Sequence, residues 1–240
     1  MRDYADRALN QAKAKGATYA DIRIVRRETQ NIEVKNGVVQ TLSLGDTYGF
    51  GIRVVADGAW GFASSHRLEN AEIDRVAALA VSIAKASALS KARDVDLGPA
   101  ERHVDTYVTP MKTDPFAVSL ETKIDYLLRS DKEARAVSGV RVAESTLGFE
   151  RNHKIFASTE GSYIEQTLTE SGAGVVVTAV SEGEMQQRSY PNSFGRHQGT
   201  GGYEFVETWD LPGNARRIAE EAVALLSAPQ CPSGVKSIIL

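Results

Sequence analysis

The sequence predicts an α+β fold, with antiparallel sheet flanked by helices and a helix–strands–helix unit that occurs twice. Three observations carry this. Segments of alternating apolar and polar residues read as half-buried strands. Asn36-Gly37 and Asp57-Gly58 supply two-residue turns of the kind that join antiparallel neighbours. Segments of helical periodicity lie before and after each group of strands. Strands joined by hairpins exclude a doubly wound parallel sheet.

The first helix is expected from about Asp3 to Lys15, with Ala5, Ala8, Leu9 and Ala12 on one face and Gly16 as its left-handed stop. Ile22 and Ile24 then alternate with charged neighbours. Ile32 to Leu42 reads as a hairpin about Asn36-Gly37, and residues 51–62 as a second about Asp57-Gly58. Asn70 is the expected N-cap of a helix carrying Ile73, Val76, Ala77, Ala80, Ile83 and Ala84. Residues 91–114, with Pro99 and Pro110, lack periodicity and read as an extended connector across the surface.

The order then returns. A helix is expected from Ser119 to Val137, with Leu120, Ile124, Leu127 and Leu128 inward. Strands follow at 140–149, 154–158, 162–169, 175–180 and 184–190, with turns at Glu160-Gly161 and Glu182-Gly183. A last helix from about Asn214 to Ser227 turns Ala215, Ile218, Ala219, Ala222, Leu225 and Leu226 inward and stops before Pro229. The repeated order suggests an internal structural repeat with little residue identity between its halves.

Composition is that of a globular protein: 240 residues, 42% apolar, 25% charged and a net charge of -3. That balance offers no basic face for nucleic acid. No run reaches the ~18 apolar residues of a membrane span. One cysteine excludes an internal disulfide framework, and the charged N-terminus lacks a signal-peptide core. The expectation is a cytoplasmic protein with neither nucleic-acid nor membrane partners.

Chemistry-bearing residues are scattered. His66, His103, His153 and His197 show no metal-ligand spacing, so no catalytic or metal residue is assigned. Cys231 has no neighbouring histidine to activate it. Ser64-Ser65-His66 places Ser65 and His66 on opposite faces of a strand end, poor geometry for general-base activation. Gly49-Phe50-Gly51 and Gly172-Ala173-Gly174 lead into strands rather than helices, and read as bulges or as places where another backbone comes close, not as phosphate loops. The segment 186–203 mixes two arginines, two tyrosines and several glycines and is expected to be long and irregular, as functional loops are. The chain ends on Val235-Lys236-Ser237-Ile238-Ile239-Leu240, which alternates like a strand and suggests a sequence cut short.

Several stretches together resemble the TldD/PmbA group of metalloproteases, also named modulators of DNA gyrase. They are residues 17–23, 34–37, 49–54, 57–64, 156–161, 170–174 and Arg188-Ser189-Tyr190, followed by the run from Pro232 to Leu240. The resemblance spans essentially the whole chain and is to the zinc-bearing, TldD-like branch. It implies that residues 1–228 form the N-terminal domain and that 229–240 are a linker and the first strand of a C-terminal metallopeptidase domain. In that family a His-Glu-x-x-x-His helix beyond such a strand holds zinc, and its Glu serves as general base. No such pair occurs here, so the zinc expected of the full-length protein has no ligand in this chain.

The resemblance further implies scaffold, dimerisation and peptide-channel roles in a protein that cleaves peptides or unfolded proteins. The dimer would form with an identical or a paralogous partner. The alternative is a non-catalytic, PmbA/TldE-like partner subunit or regulatory module. Arg188, Tyr190, Gly201 and Gly202 are the expected substrate contacts, on a sheet edge to which an extended peptide could add.

Overall fold

A computed structural model describes residues 1–230, 232–235 and 237. The chain opens with α1 (Arg2–Ala14), which buries Ala5, Ala8, Leu9 and Ala12 as the periodicity predicts. Gly16, at φ 101°, takes the left-handed conformation that ends it. Three strands follow: β1 (Tyr19–Lys35), β2 (Val38–Ala56) and β3 (Ala59–Ser65). Both turn pairs adopt positive φ, 49° and 81° at Asn36-Gly37 and 50° and 70° at Asp57-Gly58. The helix α2 (Asn70–Ala88) comes next. Its N-cap is Glu69, so Asn70 is the first helical residue rather than the cap. Ile83, expected inward, is exposed.

The connector carries a short strand, β4 (Val104–Val108), that the proline-flanked sequence did not announce. The second half holds α3 (Leu120–Arg135), β5 (Val140–Ser158), β6 (Tyr163–Ser181) and β7 (Glu184–Tyr190). Ser119 caps α3, its Oγ accepting from the Thr122 N–H at 3.1 Å. Next are β8 (His197–Thr200), α4 (Tyr203–Glu207) and α5 (Leu211–Leu225). Hence the segment 186–203 is mostly regular, being built into the sheet at both ends. The last helix starts three residues earlier than expected because Asp210 caps it through the Gly213 N–H, and Leu225 is exposed. The strand expected over 235–240 falls, apart from Val235 and Ser237, outside the described residues, as does Cys231.

The α+β expectation holds, in a simpler form than separate hairpins. Among the described residues, eight strands join one mixed, mainly antiparallel sheet in the order β3-β2-β1-β5-β6-β4, with β7 and β8 also on β6. Strands read as pairs of short segments are single long ones. The polar middles of β1, β5 and β6 broke the alternation without ending the strand. At 17 to 19 residues each, the four long strands run roughly 55–65 Å. The two halves meet where β1 lies antiparallel to β5, from Asp21 opposite Ser158 to Lys35 opposite Glu144. The far edge of β6 is tiled end to end by β4, running parallel, then β8, then β7. The far edge of β2 is paired by β3 only over Phe50–Ala56.

The four long helices lie on one face of the sheet, in two pairs. α1 and α2 cover Ile22, Ile24, Ile52 and Ile155; α3 and α5 cover Ile32, Leu147, Val175 and Val177. Each such fully buried side chain contributes on the order of 1.5–3 kcal/mol. Between the helix pairs the same face carries ions: Arg26–Asp46 at 2.9 Å, Arg151 with Asp114 and Glu28, and His153–Glu165 at 2.9 Å. Among the described residues, the opposite face of the central strands carries no long helix.

Candidate functional site

Residues two apart on a strand share a face, so burial of Ile22 and Ile24 turns Asp21, Arg23, Val25 and Arg27 to the helix-free side. Register brings β2 residues of the same facing beside them: Arg53 opposite Asp21, Gly51 opposite Arg23, Gly49 opposite Val25 and Thr47 opposite Arg27. On β3, Phe62 stands opposite Arg53 and Ser64 opposite Gly51.

Asp21 anchors this arrangement and has no exposed surface. Its Oδ1 accepts from Arg23 at 2.9 Å, and its Oδ2 accepts from Arg53 Nε at 2.8 Å and from the Tyr19 hydroxyl at 2.9 Å. A buried carboxylate needs such partners. Burial, followed by the charge of Asp21, pushes the Tyr19 hydroxyl up to about 12. The guanidiniums are held flat from outside as well. Arg53 lies 4.7 Å over the Trp60 ring and Arg23 5.1 Å over Phe156. Two guanidiniums on one carboxylate leave one positive charge uncompensated.

Beside this cluster runs an open trough of about 500 Å³. Arg23, Val25 and Arg27 of β1 form one wall, and Phe62, Ser64 and His66 at and beyond β3 form the other. Gly49 and Gly51 form its floor because they lack side chains. A Cβ at Gly51 would press the Phe62 ring at 2.8 Å, and one at Gly49 would meet the Ser65 carbonyl oxygen at 3.2 Å. The lining contains two arginines and a histidine and no carboxylate. The wall at His66 is braced by Glu72 in the first turn of α2, which accepts from Arg75 and Arg67. Arg75, then Ser65, hold the Glu72 carboxyl down to about 2.

Ser65 Oγ accepts from the Arg67 N–H instead of meeting His66, in line with the opposed faces read from the sequence. Among the described residues no group of three or more His, Cys, Asp or Glu could hold a metal. The described residues therefore offer no ligand set for a catalytic metal.

Arg188, Tyr190, Gly201 and Gly202 lie elsewhere, by α4 and α5. Arg188 pairs with Glu221 of α5 at 2.9 Å. Tyr190 meets Trp209 edge to face, with Arg217 5.5 Å over its ring. Glu221 also accepts from Arg217 at 2.6 Å, which brings Arg188 and Tyr190 together on one flank. Gly201 and Gly202 are buried, and Tyr203 beside them donates its N–H to the Thr113 carbonyl. Of the expected close-approach glycines, Gly174 admits the backbone of Gly195, Gly172 that of His197 and Gly49 that of Ser65, whereas Gly51 makes room for the Phe62 ring; Gly49 and Gly51 also floor the groove. The trough was not assigned from sequence. Its signals were the cations alternating with Ile22 and Ile24 and the glycines sharing one parity on β2.

Comparison with known proteins accounts for most of the chain. Residues 20–84 match the PmbA/TldA metallopeptidase domain 1, and residues 113–227 match the central domain of the same metallopeptidases. A metalloprotease of Methanothermobacter thermautotrophicus is 32% identical over 222 residues, covering 92% of this chain and 46% of that protein. A metalloprotease of Methanocaldococcus jannaschii is 29% identical over 225 residues, again 92% of this chain and 48% of that protein. The chain thus spans about half the length of these relatives.

Among solved structures, a Thermotoga maritima protein described as a modulator of DNA gyrase superposes with a TM-score of 0.74 at 19% identity, over 97% of this chain and 50% of that one. TldE from Thermococcus kodakarensis gives 0.61 at 13% identity, over 92% of this chain and 46% of that one. These two likenesses establish the fold. With both family domains matched in order along one chain, the protein belongs to the PmbA/TldD metallopeptidase family.

Proposed function

We propose that this chain supplies the N-terminal, peptide-guiding portion of a TldD-like zinc metallopeptidase acting on peptides or unfolded proteins, with the zinc held by residues outside it. The observation that carries this reading is the helix-free sheet face with its trough. A glycine floor between two walls suits an extended chain, which needs backbone room more than a fitted pocket. The 32% identical relative is named a metalloprotease, and this favours a peptidase over a non-catalytic TldE-like partner.

Two further roles belong to this reading. The part of β2 that β3 leaves unpaired is the proposed dimer contact, to a second copy or a paralogue. Arg188, whose side chain is half exposed, is a second proposed peptide contact, with Tyr190, Gly201 and Gly202 holding its wall. A cytoplasmic setting fits a protein of this kind; no helix among the described residues is long and apolar enough to cross a membrane.

The test compares this chain with a longer polypeptide that extends it to the full length of its relatives. Peptide cleavage is expected from the longer protein alone, abolished by a chelator and restored by zinc. The 240-residue chain alone is expected neither to cleave peptides nor to retain zinc through dialysis. Cleavage or tight zinc binding by the short chain, or metal-independent cleavage by the long one, contradicts the proposal. A longer polypeptide that binds peptides without cleaving them identifies the non-catalytic partner instead.

A further inference from the structure

We propose that the trough selects extended peptides bearing carboxylates, through Arg23 and Arg27. The inference rests on the peptide-channel reading and adds to it the chemical class of the ligand. Three observations support it.

The first is charge. No lining residue is acidic; Glu150, beside the trough, already accepts from Arg27 and Asn152, and Asp21 is buried and already accepts three hydrogen bonds. It fixes Arg23 and Arg53 in place and presents no negative charge of its own to the trough. Preorganised cations of this kind lose little freedom when a ligand arrives.

The second is donor supply. Among the described residues, the Arg23 guanidinium donates only through Nη1, and the Arg27 guanidinium only through Nη2, to Glu150. Their remaining N–H groups face the trough or water, with side chains 45% and 54% exposed. An arginine with free donors on one edge binds a carboxylate well.

The third is spacing. Arg23 and Arg27 are four residues apart on one face of a strand, roughly 13 Å. Val25 lies between them, opposite Gly49 of the glycine floor, and lines the same trough as Phe62. An extended peptide running along β1 matches this with a carboxylate at each end of a five-residue stretch and an apolar residue at its centre. Either carboxylate could come from a side chain or from a C-terminus.

The experiment measures binding of fluorescent pentapeptides to the 240-residue chain by anisotropy. The probes are acetyl-Asp-Ala-Leu-Ala-Asp-amide, its Asn-for-Asp counterpart, and acetyl-Ala-Ala-Leu-Ala-Ala as amide or free acid. The Asp peptide is expected to bind at least about tenfold more tightly than the Asn peptide in dilute salt. That preference should shrink as rising salt shortens the screening length. A free-acid advantage in the alanine pair identifies the C-terminus as a carboxylate source, and its absence identifies side chains; preference for neither charged form overturns the proposal. Arg27→Gln, at an exposed position, is expected to abolish the preference with the fold intact, and Arg23→Gln to do the same.

Saturable but equal binding of the Asp and Asn peptides overturns carboxylate selection and leaves the channel reading standing. No saturable binding of any peptide overturns both. If the wild-type chain instead self-associates through the trough, and Arg23→Gln makes it monomeric, a second copy is the occupant and the proposal fails.

Discussion

Asp21 and Arg53 face each other across β1 and β2, and the Arg53 Nε donates to the fully buried Asp21 Oδ2 at 2.8 Å. This pair, rather than the exposed arginines alone, holds the trough wall in shape. Removing Arg53 leaves a buried carboxylate with one cation fewer. Arg53→Met is therefore expected to cost about 2 kcal/mol in urea unfolding, less than the roughly 3–5 kcal/mol of a fully buried pair, since Arg53 is partly exposed. In a double-mutant cycle with Asp21→Asn the coupling should exceed about 1 kcal/mol; additive effects would contradict the assignment.

Gly174 and Gly148 sit on the same helix-free face but should answer differently to alanine. A Cβ at Gly174 would fall on the Gly195 carbonyl oxygen, which is backbone held by the loop before β8. A Cβ at Gly148 would meet chiefly the guanidinium end of Arg196, which can swing away. Gly174→Ala is expected to lose about 2–3 kcal/mol by overpacking, and Gly148→Ala less than about 1 kcal/mol. Thermal melts of the two variants side by side decide this. Equal losses would show that the Gly195 backbone yields as easily as a side chain.

Lys123 of α3 lies fully buried, its Nζ donating to Gln30 Oε1 at 2.5 Å and to the Pro115 carbonyl at 2.6 Å, 4.6 Å from the Phe149 ring centre. Burial lowers its pKa to about 8 from the ordinary lysine value of 10.5. Between these values the unfolded chain binds more protons than the folded one, so this group makes stability rise with pH there. Tyr19, Tyr126 and Tyr203, each pushed up to about 12, act oppositely above about pH 10. Wild type minus Lys123→Met should thus gain stability from pH 8 to 10. A flat difference by chemical denaturation would show that Lys123 titrates normally.

The unpaired stretch of β2 carries Val38, Leu42 and Leu44, all exposed, Leu44 by 59%. A long apolar strand edge invites pairing with another chain. Wild-type protein is expected to self-associate at micromolar concentration by sedimentation velocity, and a Leu42→Lys, Leu44→Lys double variant to remain monomeric. A monomeric wild type would remove this edge as the dimer contact.

Much of the fold could be read from local chemistry. Gly16, Asn36-Gly37, Asp57-Gly58 and Ser119 each mark an element boundary through a conformation or cap that few residues supply. What stayed hidden was continuity. Arg26, Glu28, Arg151 and His153 look like loop residues, yet they pair across the polar gap between two helix pairs. β4 was hidden because its five residues are all exposed and show no inward face. The trough was the least legible part. Arg23, Gly51 and Phe62 are spread over 40 positions, and only strand register reveals that they share a face.

The central claim is that peptides lie along the helix-free face between β1 and β3. A photo-crosslinking peptide, with benzoylphenylalanine at the central position of the Asp-flanked pentapeptide, tests it directly on the 240-residue chain. The expected result is labelling concentrated on the segments around Val25 and Phe62, identified by mass spectrometry and competed by unlabelled peptide. Competed labelling confined to other segments, such as the flank around Arg188 and Tyr190, would contradict it.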